Sequence, residues 1–368
     1  MDTFQLITIK SSDPFIRGLQ YGQQAEALIH LGIEGYQRHF SKTLDLTWKD
    51  ITEKSRLYLD LLEREFPEEL EEARGIAEGS SVPLEDILVL NCRYEILKYR
   101  PHECTTGAIL PVVSADRCST FLIQNWDYRP WVEHHAVVVS IDDEKGTHIV
   151  GVTEAGQLVR NGMNSWGAGL CANNLTSVFD TGDVGAPVTF VRRKALNSRS
   201  FSQLCSIVRS SRRGVSCNFM LASSDGKAVD LEATPGGVFE VAPSRGLVTH
   251  ANHMVAGAPY CTNQGTKFRD QVLRRVLEKM EGQIDLPAIQ AALRNHETFP
   301  GAPDTYPEAS CIEAVCSHVP HGSYDEDWTL RKVLRRFVWH DRIHGRAMWR
   351  MACALCGSRR VADPYRFA

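Results

Sequence analysis

The chain changes texture sharply at residues 103–104, and that change constrains its fold more than any other feature. Before it, apolar residues recur at helical spacing. Phe15, Leu19, Tyr21, Ala25, Leu28 and Ile29 predict a helix over 15–40. Leu57, Leu61, Leu62, Phe66 and Leu70 continue the pattern over 48–74, with a break at Pro67, and 84–97 (LEDILVLNCRYEIL) gives another helix. A short strand over 4–9 precedes them, and the acidic run LEREFPEELEEARGIAEGS reads as a solvated helix face. After residue 103 come short β-type runs at 119–125, 136–141, 147–153, 170–173, 218–222, 228–232, 237–241 and 246–249. The turn signals DDEKG, NGMNSWG, SSDGK and TPGG separate them, and helical stretches interrupt at 188–209, 267–280 and 286–296. Strands and helices that interleave without alternating one for one predict a layered α/β arrangement, not a doubly wound parallel sheet.

Composition narrows the function classes. The chain has 368 residues, 45 acidic against 41 basic, and a net charge of −4. That balance excludes a generally basic nucleic-acid binder and an acidic disordered protein. No GxGxxG or GxxxxGK[ST] loop is present, so neither a dinucleotide nor a nucleotide phosphate has its usual cradle. No apolar run approaches the roughly 20 residues of a spanning helix, and the N-terminus lacks a charged segment followed by an apolar one. The expectation is a soluble, cytoplasmic protein with no membrane or nucleic-acid partner. The 11 cysteines are an odd number scattered along a long chain, which fits reduced thiols better than a disulfide frame. Charge is unevenly spread: residues 331–368 carry ten Lys or Arg against Asp341 and Asp363, a local +8, which leaves −12 for the rest.

Several residues could carry chemistry. Cys104, in RPHECTTGAIL, lies at the junction of the two textures. It reads either as a small buried apolar residue or as a nucleophile. In the second case a freed α-amine, with a reference pKa of about 7.7–8.0, could take the thiol proton if the chain were cut just before it. Asp127 follows a strand in QNWD, either as a turn residue or as a partner for an ammonium group. Asn252, in THANHM, could donate to an oxyanion or simply pack a loop. His250 and His253 form H-x-x-H, a poor spacing for two helical metal ligands, and no metal site is expected. Cys353 and Cys356 form a lone C-x-x-C that could mark redox chemistry or half a zinc site. Leu330, Val333, Leu334, Phe337 and Val338 make an apolar stripe backed by basic residues, either a docked terminal helix or a surface helix for a membrane or partner.

Taken in order, these pieces resemble the acyl-coenzyme A:6-aminopenicillanic acid acyltransferases and their relatives, the self-processing cysteine N-terminal nucleophile hydrolases of peptidase family C45. The resemblance rests on FIRGLQYGQQA, Cys104-Thr105-Thr106, Gln124-Asn125-Trp126-Asp127, the Thr-Glu-Ala-Gly at 153–156, NGMNSWGAGLCANNL, Leu231-Glu232 and the His-x-Asn-His at 250–253, covering roughly residues 4–310. It implies an α+β fold, the four-layer αββα sandwich of the N-terminal nucleophile hydrolases, and a precursor that cuts itself between Glu103 and Cys104. Residues 1–103 would then be a helical segment released as a small chain, and 104–310 the strand-rich catalytic portion. The two fragments would stay together as a heterodimer.

The resemblance also implies roles. Cys104 would be the nucleophile, its amine the base, Asp127 the group that holds the amine, and Asn252 the oxyanion donor. Thr105, Gln124 and Asn125 would bind substrate or support the site. The implied activity is an amidohydrolase or acyltransferase that passes the acyl group of an N-acylated small amine or amino acid derivative through a thioester. It would need no cofactor, with acyl-coenzyme A open as a co-substrate.

The pattern departs after Tyr306-Pro307, where EASCIEAV puts Glu313 in place of an expected arginine. Residues 311–368 then form an atypical basic tail, as a shifted reading frame after about Pro307 would produce. The alternatives are a catalytically impaired relative that acts as a binding protein, or a zinc or redox protein using Cys353 and Cys356.

Overall fold

A computed structural model describes residues 4–44, 46–97, 104–126, 128–263 and 269–293. Strand β1 (Gln5–Lys10) is followed by helices α1 (Pro14–Leu44), α2 (Trp48–Arg56), α3 (Leu59–Glu65), α4 (Pro67–Gly79) and α5 (Leu84–Leu97). Then come β2 (Cys104–Ile109), β3 (Phe121–Trp126), β4 (Ala136–Asp142), β5 (His148–Glu154), β6 (Asn161–Asn164) and β7 (Ala168–Asn174). Helices α6 (Val188–Ala195) and α7 (Phe201–Ser210) precede β8 (Cys217–Ser223), β9 (Lys227–Thr234), β10 (Gly237–Val241) and β11 (Leu247–His250), and α8 (Arg269–Glu278) and α9 (Leu286–Leu293) follow.

Local signals explain most of these boundaries. Thr47 and Asp50 form a reciprocal capping box at the start of α2, and Pro67 opens α4 at a position where its missing N–H costs nothing. The single helix expected over 188–209 is two, because Ser200 accepts from the Gln203 N–H and starts α7 afresh. Strand β6 falls inside the segment read as a turn. It is short, polar and glycine-bearing, so it shows no alternation of apolar residues.

Helices α1 and α4 meet through glycines. A Cβ on Gly18 would lie 1.9 Å from the Glu72 carbonyl oxygen, and one on Gly75 would lie 2.0 Å from that of Phe15. The Gly-x-x-x-Gly of α1 therefore has a counterpart in α4, Gly75 and Gly79, and together they let the two backbones touch. Glu72 sits in this contact and binds Arg17 and Arg193, joining α1, α4 and α6 through a buried ionic cluster.

The strands form two sheets. The larger runs β1-β4-β5-β6-β7-β8-β9-β10, with β1 parallel to β4 and the other pairs antiparallel; the smaller runs β11-β2-β3. Alternation along the strands divides the core into layers. Leu170, Phe219, Leu221 and Leu231 of the large sheet pack among residues of α1, α4, α5, α6 and α7. Cys171, Met220 and Ala222 point the other way and meet Ala108 and Val248 of the small sheet. On the far face of the small sheet, Ile109, Ile123 and Leu247 pack against Leu273, Leu277 and Ile289 of α8 and α9. Helices, sheet, sheet and helices follow one another, so the expected four-layer αββα sandwich is the observed α+β arrangement. Among the described residues no helix is long and apolar enough to cross a membrane.

Candidate active site

Strand register brings Cys104 and Asn252 together. Cys104 is the first residue of β2, the middle strand of the small sheet. On one side β3 pairs Trp126 with it. On the other, β11 pairs His250 with Thr106, and the chain continues antiparallel past His250 to Asn252. The Cys104 backbone N–H donates to Asn252 Oδ1 at 2.6 Å. Oδ1 also accepts from Arg269 at 2.9 Å, while Nδ2 donates to the Asn174 carbonyl at 2.9 Å. Two donors on one side and a carbonyl on the other fix which way the amide points. Nδ2 carries a second hydrogen that this bond to Asn174 does not use. Cys104 and Asn252 are both buried.

The pleat separates the other expected residues. Gln124 shares the inner face with Cys104 and Thr106. It donates to the Ala172 carbonyl and accepts from Asn161, spanning the two sheets. Asn173 of β7 reaches across in the same way, donating to Thr106 and to the carbonyls of His250 and Ala251. Thr105 and Asn125 are paired on the outer face, and Asn125 donates to the Leu293 carbonyl at the end of α9. Neither faces Cys104, and Asn125 ties the small sheet to α9.

The H-x-x-H segment has a structural use. His250 is fully buried, with Nε2 2.9 Å from Glu232 Oε1 and 3.4 Å from Asp230 Oδ2, and Nδ1 2.8 Å from the Ala251 carbonyl. Burial alone would lower the imidazole, but the two carboxylates outweigh it and push His250 up to about 9. Glu232 also accepts the N–H groups of Val255, Ala256 and Gly257. An imidazolium on β11 and a carboxylate on β9 thus tie the two sheets together and pin the loop that carries Asn252. Among the described residues no cluster of three His, Cys, Asp or Glu could hold a metal ion.

The site contains arginines that the sequence reading did not single out. Arg160 and Arg192 line the same small cavity as Cys104, together with Tyr94, Trp126 and Asn174. Arg160 lies over the Trp126 ring, 4.6 Å from its centroid. It bonds Glu154 Oε1 at 2.7 Å, as Arg93 does at 2.6 Å. Burial opposes ionisation of Glu154, but Arg93 and Arg160 hold its carboxyl well below the usual range. Glu154 lies in the Thr-Glu-Ala-Gly stretch, so the signal that could have found Arg160 was the buried acid six residues before it. The cavity has about 10 Å³, room for a single water. A second cavity of about 280 Å³, lined by Tyr94, Asn174, Val188, Asp180, Ser216 and Thr262 among others, shares Tyr94 and Asn174 with it.

Glu103 and Asp127 lie outside the described residues, as does everything after Leu293. That includes the Glu313 departure, the 311–368 tail and its proposed frame shift, the apolar stripe beginning at Leu330, and Cys353 with Cys356. Trp126 and Tyr128, on either side of Asp127, both line the cavity with Cys104.

Comparison with known proteins bears out the resemblance read from the ordered motifs. Residues 113–286 match the family described as acyl-coenzyme A:6-aminopenicillanic acid acyl-transferase. The matched span contains Asp127 and Asn252 and begins after Cys104. The 40 kDa form of acyl-coenzyme A:6-aminopenicillanic-acid-acyltransferase from Emericella nidulans is 25% identical over 247 residues, 64% of this chain and 66% of that relative's length. Among solved structures, the Caenorhabditis elegans ortholog of N-acylethanolamine-hydrolyzing acid amidase aligns with a TM-score of 0.44 at 13% identity, over 52% of this chain and 86% of that one. Penicillin V acylase from Agrobacterium tumefaciens aligns with a TM-score of 0.31 at 11% identity, over 56% and 69%.

Proposed function

We propose that this chain, a relative of the acyl-coenzyme A:6-aminopenicillanic acid acyltransferases, is a self-processing cysteine amidohydrolase or acyltransferase acting on N-acylated small amines or amino acid derivatives. The observation that carries the reading is the position of Cys104. It begins a central strand, its side chain lies on the face between the sheets, and its backbone nitrogen rests on Asn252. A residue that becomes the first of its chain presents its thiol and its amine from one Cα, so nucleophile and base need no further alignment.

In self-processing, Cys104 Sγ attacks the Glu103 carbonyl carbon. The peptide C–N bond breaks as the thioester forms, and the Cys104 nitrogen takes the thiol proton and becomes the α-amine. Water then hydrolyses the thioester, leaving a Glu103 carboxylate and a free thiol. In turnover the amine accepts the proton from Sγ as the thiol attacks the substrate amide, and it gives that proton to the departing amine. The acyl group passes from Cys104 to water or to an acceptor amine. The unused Nδ2 hydrogen of Asn252 is the donor for the tetrahedral oxyanion, and Asp127 is the carboxylate assigned to the new ammonium group.

The test is a denaturing gel with N-terminal sequencing. The wild-type chain should give a fragment ending at Glu103 and one beginning at Cys104, and Cys104→Ala should stay whole. The processed protein should then release free amine from at least one member of an acyl-amide panel. A wild-type chain that stays whole and whose Cys104 resists thiol reagents would overturn the reading in favour of a non-catalytic binding relative.

A further inference from the structure

Four buried guanidinium groups in this fold are paired with carboxylates: Arg17 and Arg193 with Glu72, and Arg93 and Arg160 with Glu154. Arg192 is the exception beside the nucleophile. It is 2% exposed on α6, yet no carboxylate oxygen among the described residues lies within 4.0 Å of it. Its hydrogen bond goes to Cys217 Sγ at 3.4 Å, a weak acceptor, and its Nε is buried without a partner. The nearby Glu95 is a poor counter-charge. Burial raises its carboxyl to about 7, and its Oε1 is taken by the Val188 N–H at 2.8 Å. Arg213, also buried and without a carboxylate, lies away from Cys104 and donates to the carbonyls of Ser211 and Val208, with its Nη1 left without a partner.

A buried charge without a partner is costly, and a cavity wall is where a ligand can supply the missing one. Arg192 lines the small cavity that holds Cys104; the cavity of about 280 Å³, which has the room for a substrate, is lined by Val188, one turn earlier on α6, and meets the small one at Tyr94 and Asn174, so the carboxylate must reach Arg192 through that junction. We infer that Arg192 is the specificity residue of this site and binds the carboxylate of an N-acyl amino acid whose amide is presented to Cys104. The inference rests on the reading of Cys104 as nucleophile and selects, within the substrates proposed above, those that carry an acid group next to the amine. Arg160 already donates to Glu154, the carboxylate it shares with Arg93, so its guanidinium is engaged within the protein. The planar guanidinium of Arg192 offers parallel donors that match a carboxylate.

The experiment compares N-acylglycines, from acetyl to lauroyl, with the matching N-acylglycinamides on the protein as purified. The wild type should favour the acid over the amide by about 10- to 100-fold in kcat/KM, the range of a charge-assisted hydrogen bond of about 1.5–3 kcal/mol. Arg192→Leu should abolish that ratio and Arg192→Lys should restore part of it. Unliganded Arg192→Leu should melt at or above the wild-type temperature, because it removes an unpaired buried charge. A wild-type ratio near one, a ratio that survives in Arg192→Leu, or early melting of that variant would each overturn the inference. If no acyl amide is turned over, the nucleophile reading fails separately. The carboxylate site is then read by thermal shift: N-acylglycine, but not its amide, should raise the wild-type midpoint and not that of Arg192→Leu. No such shift would overturn the inference as well.

Discussion

The Cys104 N–H and Asn252 Oδ1 are 2.6 Å apart although 148 residues separate them in the chain. Asn252 is fixed at this point from several sides. Arg269 shares its Oδ1, Asn174 takes its Nδ2, and Asn263 donates to its carbonyl. The nitrogen proposed as the base is therefore held before any cleavage, by the same amide proposed to stabilise the oxyanion.

Replacing Asn252 should strike both steps. Asn252→Ala removes the acceptor at the Cys104 nitrogen and the donor at Nδ2. We expect self-processing to slow, and kcat of any processed protein to fall by about 10²- to 10³-fold, the usual loss for one oxyanion donor. A time course of fragment formation and single-turnover acylation would measure the two effects. Wild-type rates in both would remove Asn252 from the mechanism.

The His250 clamp predicts a pH dependence. Its folded pKa of about 9 lies above the unfolded value of about 6.5. Its contribution to stability is thus complete below about pH 6.5 and is lost as pH rises through about 9. Asp230, pushed up to about 6 by burial, works in the same direction at lower pH, because its ionisation costs stability in the fold. Urea midpoints should therefore fall from pH 6.5 to pH 9.5. His250→Leu should flatten the decline above pH 7 and cost about 3 kcal/mol at neutral pH by leaving two buried carboxylates without their cation. A rise in wild-type stability over that interval would contradict the assignment.

Glu154 has the opposite sign. Its pKa is depressed, so its contribution is present above the unfolded value of about 4.3 and is lost only as pH falls through the far lower folded value. Glu154→Leu would strand Arg93 and Arg160, both fully buried, and should cost about 3–5 kcal/mol in equilibrium unfolding at pH 7. A loss under about 1 kcal/mol would mean that other groups carry those charges.

The α1–α4 contact is equally testable. Alanine is normally better than glycine in a helix by about 1 kcal/mol. Gly18→Ala should nevertheless destabilise, by at least the 1–3 kcal/mol or so typical of overpacking, because its Cβ would meet the Glu72 carbonyl at 1.9 Å. Thermal unfolding checks this, and a stabilised variant would show that the helices can move apart without loss.

Much of the architecture was legible in the sequence. Strand and helix periods report which residues of one segment share a face, and they placed the partition near residue 104, the break at Pro67 and most strands of both sheets. Where no period exists the reading failed. Polar β6 passed for a turn, and the Ser200 cap that divides 188–209 was overlooked. The chemical candidates Cys104 and Asn252 were legible as residue types in ordered motifs.

Their meeting was not legible. Register between β2, β3 and β11 put Asn252 against the Cys104 nitrogen and turned Thr105 and Asn125 toward the helices, a choice that local spacing does not encode. The same holds for charge. Arg160, Arg192 and Arg193 look alike in sequence, and only the packing of α6 and of the residue before β6 against the buried acids decides which meet a carboxylate and which lines the cavity without one. Sequence determined the layers and the kinds of groups available, because those depend on neighbours along the chain. Tertiary structure decided which groups act together, because hydrogen bonds and ion pairs depend on distances between segments far apart in it.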